Sequence, residues 1–212
     1  MLTAADFADT GQWRLLLEIH PDGMQAYLEN TLHTDIDPQP LCSVNWEKNP
    51  DEIKKNIEDA VYNHPRLLDD FATRVIIYDP RTLFIPTSVA EASAGAEEEL
   101  YREVYEAITQ DIMTDTDRDL TAVWCIGPGV KSFLMRTFPG ARITCHLMEK
   151  VRNLRKDNSG IKLHSDHRSG ELDLILLDGS DLLSASTHPC LTDAEKEACV
   201  ANLLTSYGVE IN

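Results

Sequence analysis

The chain has 212 residues and a mass of 23.8 kDa, enough for one large domain or two small lobes, and 42% of its residues are hydrophobic. Its 19 basic and 36 acidic residues give a formal net charge of -17. The resulting field repels phosphate backbones and anionic lipid headgroups. Composition and charge therefore exclude a globally disordered chain and argue against a general nucleic-acid-binding protein.

The sequence predicts a cytoplasmic protein without a membrane helix. The stretches without a charged residue, such as Leu120 to Val130, are far shorter than the roughly 20 apolar residues that span a bilayer. The start of the chain contains two aspartates and no basic residue before Arg14, unlike a secretory signal. The cysteines show no C-x-x-C pair, which predicts reduced thiols and neither disulfides nor structural zinc: Cys42, Cys125, Cys145, Cys190 and Cys199.

The first part of the chain has the pattern of three strands followed by a helix. A Pro21-Asp22-Gly23 turn joins the first two strands, and Asn49, with Pro50 after it, is the predicted N-cap of the helix. The predicted strands are Trp13 to His20, Met24 to Glu29 and Leu41 to Trp46, and the inward residues of the helix are Ile53, Ile57, Ala60 and Val61.

The middle of the chain alternates strands and helices, which predicts a partly parallel sheet. Met113 to Asp119 is rich in acids and is predicted as a solvated connection. The predicted strands are Phe71 to Tyr78, Thr82 to Ile85, Ala122 to Ile126 and Arg142 to Cys145. The inward faces of three helices are Leu100, Val104, Ala107 and Ile108; Val130, Phe133, Leu134 and Phe138; and Leu147, Val151 and Leu154.

The last part repeats the organisation of the first, and the interval between Gly23 and Gly170 suggests two related lobes. Asp178-Gly179 is a tight-hairpin signal, and Thr192 with Glu195 forms a capping box. The predicted elements are strands at Ile161 to Ser165, Leu172 to Leu177 and Leu182 to Thr187, a turn at Asp166 to Gly170, and a helix with Val200, Leu203, Leu204 and Tyr207 inward and a stop at Gly208.

This order resembles the actin-like ATPase fold, a pair of ribonuclease-H-like lobes that each open with a three-strand meander and a helix. The stretches RVIIYDPRTLFIPTSV, AVWCIGPGVKSFLMRTFPGARI and ELDLILLDGSDLL resemble an uncharacterised bacterial domain-of-unknown-function family with that fold. The resemblance covers roughly residues 12 to 208. It implies an α/β protein with a first lobe over residues 12–156, including an inserted strand and helix region, and an incomplete second lobe over residues 157–212.

In active actin-like ATPases, the first hairpin turn of each lobe has the form Asp-x-Gly. Its amides cradle phosphate and its acid helps to hold the metal. Aligned on glycine, the turns here are Pro21-Asp22-Gly23 and Arg168-Ser169-Gly170, so both acids are lost. Arginine repels magnesium, although Arg168 can itself meet a phosphate. Asp22, Gly23, Ser169 and Gly170 are therefore candidates only for a degenerate phosphate site, and no catalytic residue, cofactor or metal is expected.

A second interpretation is a Rossmann-like methyltransferase that binds S-adenosylmethionine. Its evidence is the glycine loop Ile126-Gly127-Pro128-Gly129 after a strand and the later Asp173 to Asp178 segment. Three features weaken it. Lys131 replaces the third loop glycine, Cys145-His146 stands where an acid would bind ribose, and Asp178-Gly179 belongs to a hairpin.

Two local clusters have simpler readings. His164, Asp166 and His167 are close in sequence, but a solvated strand end explains them better than a metal site. Lys150, Arg152, Arg155 and Lys156 form a basic island that is predicted to be a solvated helix face. No serine has an identifiable base.

The sequence therefore favours a non-enzymatic, pseudo-ATPase binding or scaffold protein over its enzymatic alternatives, a divergent nucleotide-binding ATPase or the methyltransferase. The short second lobe, roughly residues 160 to 208, is expected to leave a sheet edge open, where a protein partner or second copy docks. The hairpin Leu172 to Leu183 would lie close by, and Arg152, Arg155 and Lys156 would steer an acidic partner. Nucleic-acid and membrane partners are not expected.

Overall fold

The computed structural model describes residues 10–33, 35–78, 81–106, 111–168 and 170–209. The chain divides into two compact units, unit 1 with Met1–Asp79 and Leu83–His146, and unit 2 with Pro80–Thr82 and Leu147–Asn212. None of the helices in the described ranges is long and apolar enough to span a membrane.

The strands and α-helices alternate along most of the chain. The strands are β1 Trp13–His20, β2 Gly23–Asn30, β3 Gln39–Asn45, β4 Ala72–Ile77, β5 Thr82–Pro86, β6 Asp111–Asp117, β7 Leu120–Ile126, β8 Arg142–Cys145, β9 Ile161–Arg168, β10 Glu171–Asp178 and β11 Asp181–Pro189. The helices are α1 Ile53–Asn63, α2 Thr87–Ala90, α3 Ala96–Tyr105, α4 Val130–Thr137, α5 His146–Leu154 and α6 Asp193–Ser206.

The main sheet of unit 1 has the strand order β3-β2-β1-β4-β8. β1, β2 and β3 form an antiparallel meander, whereas β4 runs parallel to both β1 and β8. Leu15, Leu17 and Ile19 alternate along β1 and are almost completely buried, as a central strand with one fully covered face requires. The helix predicted to begin near Asn49 begins at Ile53, because the Asn49 side chain accepts from the Asp51 amide in a preceding turn.

A second sheet in unit 1 has the order β5-β7-β6 and packs against α3. The prediction that Met113 to Asp119 is a solvated connection is wrong, because β6 spans most of it and pairs antiparallel with β7. β6 is an edge strand, which tolerates acids on its exposed positions while Met113 is buried. In α3, Tyr101 is buried and Val104, predicted inward, is 56% exposed. Ala107 and Ile108 lie outside the described residues.

Unit 2 contains an antiparallel sheet of order β11-β10-β9 and the helix α6. The predicted turn from Asp166 to Gly170 is too long, because β9 stays paired with β10 as far as Arg168. The capping box of Thr192 and Glu195 is confirmed in both of its hydrogen bonds. Tyr207, predicted inward, is 45% exposed, and its hydroxyl donates to the Leu183 carbonyl across 2.7 Å.

One face of β10 packs against α6. Leu172 and Leu174 form a buried cluster with Cys190, and three side chains of α6 pack on it: Cys199, Val200 and Leu203. The opposite face carries Asp173, whose side chain is bonded to Lys150 of α5. Ile175 and Leu177 share this opposite face and are fully buried, so both faces of β10 are covered and Asp173 is a charged group within a largely apolar face.

Candidate functional site

The first candidate phosphate turn is a two-residue turn. His20 pairs with Gly23 across it, so Pro21 and Asp22 form the turn and Gly23 is already a strand residue. A Cβ atom at Gly23 would lie 2.8 Å from the Val44 carbonyl oxygen of β3. Close pairing of β2 with β3 therefore explains why glycine is needed here, without a ligand.

Trp46, the residue after β3, donates two hydrogen bonds to the backbone of this turn. Its backbone amide donates to the Asp22 carbonyl oxygen at 2.9 Å, and its indole Nε1 donates to the Pro21 carbonyl oxygen at 3.2 Å. Both bonds hold the turn in one conformation. Sequence reasoning placed Trp46 in a strand and missed this role, since nothing in the local pattern shows which carbonyl an indole will reach.

The second candidate turn is built on the same plan. Arg168 pairs with Glu171 across it, Gly170 has a φ of +83°, and the Cys190 amide, directly after β11, donates to the Gly170 carbonyl oxygen at 2.8 Å. Cys190 thus has the role that Trp46 has in unit 1. Ser169 lies outside the described residues.

Strand pairing corrects the alignment of the two turns. Each first strand ends at the residue that pairs across the turn, so Arg168 corresponds to His20 and not to Pro21. Gly170 then corresponds to Asp22, since the carbonyls of both accept from the residue after the third strand. The alignment on glycine was wrong by one residue, because Gly23 serves strand packing whereas Gly170 serves a positive φ.

The Arg168 guanidinium, predicted as a possible phosphate ligand, is bonded to two carboxylates. Its Nη1 donates to Glu171 at 2.9 Å, and its Nη2 and Nε donate to the two oxygens of Asp173 at 3.1 and 3.2 Å. Asp173 is fully buried and also accepts from Lys150 Nζ at 2.7 Å and from Thr187 at 2.6 Å. The positive charge of Arg168 is therefore already neutralised by buried acid.

The glycine loop between β7 and α4 packs directly against α1. A Cβ atom at Gly127 would lie 2.2 Å from Ile53 Cγ2, and Gly129 has a φ of +75°. The Asp111 carboxylate accepts from the Gly129 amide at 2.9 Å and from the Lys131 amide at 3.3 Å. A carboxylate of the chain thus occupies the N-terminal end of α4, where a cofactor anion would bind in a Rossmann protein.

Topology overturns the methyltransferase interpretation. β7, which leads into the glycine loop, belongs to the small sheet and pairs antiparallel with β6, while β8 joins the main sheet beside β4. A Rossmann site instead places its glycine loop after a strand of a parallel sheet. Asp178 ends β10 and Gly179 has a φ of +58°, so the Asp178-Gly179 hairpin is confirmed.

The two local clusters are held by internal contacts. His167 Nε2 lies 2.9 Å from the Cys190 carbonyl oxygen, and Asp166 is paired with Lys150. The described residues contain no group of acids, histidines and cysteines that could hold a metal ion. The polar end of β9 thus stabilises its own unit.

The prediction of a solvated basic helix face is wrong for most of its members. Arg155 is 5% exposed, and its Nε donates to the Ser180 carbonyl oxygen at 2.6 Å. Arg152 pairs with Glu149 at 3.5 Å, and Lys150 is bound to Asp166 and Asp173. Acids pair with Lys150 and Arg152, and a backbone carbonyl holds the buried Arg155, so these three side chains do not form a solvated basic face.

One serine does have a histidine beside it. Ser186 Oγ lies 2.8 Å from His188 Nε2 on the same face of β11. This face is the one that α6 covers, because His188 and Ser186 are opposite Leu172 and Leu174 of β10. The bond satisfies two partly buried polar groups.

Cys42 in β3 is not an activated thiol. Burial raises the pKa of the Cys42 thiol, which disfavours the reactive thiolate. A catalytic cysteine needs the opposite shift, so Cys42 is not a candidate nucleophile.

Comparison with solved structures gives the class of the fold. A crystal structure from Bacteroides thetaiotaomicron, described as a protein with actin-like ATPase fold and unknown function, is similar to 99% of this chain and 81% of that chain, with a TM-score of 0.81 and 16% identity. The chain therefore has an actin-like ATPase fold, and the predicted α/β class is confirmed. No protein-family model and no curated protein matches it.

Two further structures are more distant. The cytoplasmic domain of EpsL, an inner membrane component of the type II secretion system of Vibrio cholerae, covers 89% of this chain and 73% of its own at a TM-score of 0.45 and 8% identity. The PilM-PilN type IV pilus biogenesis complex gives a TM-score of 0.42 and 12% identity over 93% of this chain and 66% of that one.

Proposed function

We propose that the chain is a non-catalytic actin-fold protein, a pseudo-ATPase that acts in the cytoplasm as a binding or scaffold protein. The single observation that supports this most strongly is the closure of both candidate phosphate turns by groups of the chain itself. Trp46 holds the first turn through two hydrogen bonds, and Cys190 holds the second.

Phosphate binding needs a turn whose amides a ligand can approach, and magnesium needs a carboxylate beside it. At the first turn, the acidic residue is Asp22, and its backbone carbonyl accepts a hydrogen bond from the Trp46 amide. At the second turn, the basic group Arg168 is bound to Asp173 and Glu171. A nucleotide that needs another conformation of the first turn, or the charge of Arg168, would have to break these internal bonds, which disfavours ATP binding.

The two-lobe organisation belongs to the same proposal. The first lobe covers residues 12–156 with its inserted region, and the second begins at residue 157. A protein partner docks on the sheet edge of the second lobe, where the unpaired backbone N–H and C=O groups of an edge strand can pair with a strand of another chain. Neither nucleic acid nor a membrane is a partner, because a net charge of -17 opposes both surfaces.

Calorimetry with magnesium and ATP tests the proposal. We expect no heat of specific binding in the native chain and none in an Asp22→Ala variant. A dissociation constant in the low micromolar range that the Asp22→Ala substitution abolishes would establish the divergent ATPase instead.

A further inference from the structure

The third strand of each meander is built as a sheet edge. β11 ends with Pro189, and its pairing with β10 shifts at Leu183, whose carbonyl accepts from Tyr207. β3 likewise contains Pro40 and a shift of register against β2. Proline, bulges and covering side chains are the devices by which proteins protect an edge strand from pairing. The third strands are therefore closed to further strands.

The first strands differ between the two units. β1 lies between β2 and β4, and β4 runs parallel to it from Arg14 to Ile19. β9 corresponds to β1 and pairs with β10 from Ile161 to Arg168 without a shift, and among the described residues no strand is paired with its other side. It contains neither proline nor bulge. β9 therefore has the regularity of an interior strand, and one of its sides, called its open side below, has no paired strand.

The residues of β9 permit this exposure in water. Strand pairing aligns Ser165 with Leu17 of β1 and His167 with Ile19, so two buried apolar positions of unit 1 are polar here. Lys162 does not place its charge at the edge to block strand pairing, because its ammonium donates to the Leu154 carbonyl oxygen at 3.2 Å. These polar side chains lower the cost of leaving the edge of β9 without a paired strand.

Charge defines the kind of segment that fits. Asp166 corresponds to Glu18 of β1, and Ile76 of β4 is the residue opposite Glu18. The Asp166 side chain remains 43% exposed although it is paired with Lys150. The chain as a whole has a formal net charge of -17. A basic residue opposite Asp166 is thus favoured both locally and by the long-range field.

We infer that the open side of β9 binds an extended, basic segment of a partner protein, which adds to the sheet in parallel orientation from about Lys162 to His167. The parallel orientation follows from the position of β4 beside β1. Alternate apolar residues of the segment would extend the α6-covered face beside Leu163, and a basic residue would face Asp166. The inference rests on the proposed function, because it gives the chemistry of the partner whose docking edge that proposal assigns.

Two synthetic peptides test this with the full chain. Both are based on residues 71–78, which contain β4, the parallel neighbour of β1, and they differ in carrying Ile76→Lys or Ile76→Glu at the position opposite the acid. In low salt we expect the lysine peptide to bind about tenfold more tightly than the glutamate peptide. Hydrogen exchange should slow in β9 and stay unchanged in β11 and β1.

Proline variants provide the matched control. Neighbouring residues of an edge strand point their amides in opposite directions, so of His164→Pro and Ser165→Pro only one removes a bond to β10. The variant that keeps the native melting temperature is the one whose replaced amide points away from β10, and it should no longer bind the lysine peptide. Equal affinity for both peptides, protection located in β11 or β1, or binding that survives in the stable proline variant would overturn the inference.

Titration of the same sample with magnesium and ATP separates the two proposals. If the peptide fails to bind and ATP also fails, only the β9 inference is contradicted. If the lysine peptide protects β9 and ATP also binds, the edge assignment stands and the pseudo-ATPase proposal is contradicted.

Discussion

Asp173 is the residue on which most of the polar contacts of unit 2 converge. Its buried carboxylate accepts from Lys150, Arg168 and Thr187, which belong to α5, β9 and β11. Burying a charge is costly unless it is paired and hydrogen bonded, and here every donor comes from a different element. One side chain thus fixes the helix and both outer strands relative to β10.

The Asp173→Asn substitution should lower the free energy of unfolding by about 3 kcal/mol, because it leaves two partly buried cations without the buried carboxylate that they share. The control is Asp166→Asn, which removes a pair whose acid is 43% exposed and should cost less than about 1 kcal/mol. Urea denaturation of both variants gives the comparison. Equal losses would show that Asp173 has no special structural role.

Gly127 and Gly129 provide a second test at the residue scale. Gly127→Ala should cost about 2 kcal/mol, because the new Cβ would overlap Ile53 Cγ2 at 2.2 Å. Gly129→Ala should cost about 1 kcal/mol, since its φ is positive and the nearest atom belongs to the flexible Lys54 side chain.

Thermal melts with and without S-adenosylmethionine measure both glycine variants. Neither the native chain nor the variants should respond to the cofactor. A cofactor-dependent rise in melting temperature that Gly129→Ala removes would contradict a purely structural role for the loop.

At the scale of elements, the local signals of the sequence were sufficient where the partners lie close together in the chain. The capping box of α6, the Asp178-Gly179 hairpin and the alternation of strands and helices were all predicted from neighbouring residues. The strand β6 was missed, because its acids at Asp115 and Asp117 imitate a solvated loop. The basic residues in and after α5 were misread because the partners of Lys150 lie in β9 and β10 and the partner of Arg155 lies in the turn between β10 and β11.

The start of α6 gives a prediction for the element. Thr192→Ala should lower the free energy of unfolding by about 1 kcal/mol, because it removes the side chain that accepts from the Glu195 amide. Denaturation with urea measures the change, and Thr205→Ala, near the other end of α6, is the control. The same loss at both positions would argue against the capping role.

The acid side of the stability curve tests Glu195. Hydrogen bonds from the Leu191 and Thr192 amides hold its pKa below the ordinary 4.5. A lowered folded-state pKa contributes stability above the ordinary value, and this contribution is lost as the pH falls through the folded pKa. Glu195→Gln should therefore lose less stability than the native chain on acidification below about pH 4.5. Parallel curves for both proteins would contradict this.

For the whole molecule, the resemblance of the element order and of three sequence stretches to actin-like proteins predicted the fold, which the solved structure with a TM-score of 0.81 shares. The candidate site was harder to predict. Both turns were predicted from the sequence, but they were aligned on Gly23 and Gly170. Gly23 allows close strand packing, whereas Gly170 adopts a positive φ. It also gave no sign that Trp46 and Cys190 close them, because both bonds depend on where a third strand ends.

The closure of the two turns is the central claim, and hydrogen exchange at two amides tests it most directly. The Trp46 amide donates to Asp22 and the Cys190 amide donates to Gly170. We predict that both exchange slowly and that an excess of magnesium and ATP leaves both rates unchanged. If the nucleotide alters the exchange of either amide, the turns respond to phosphate and the pseudo-ATPase account is contradicted.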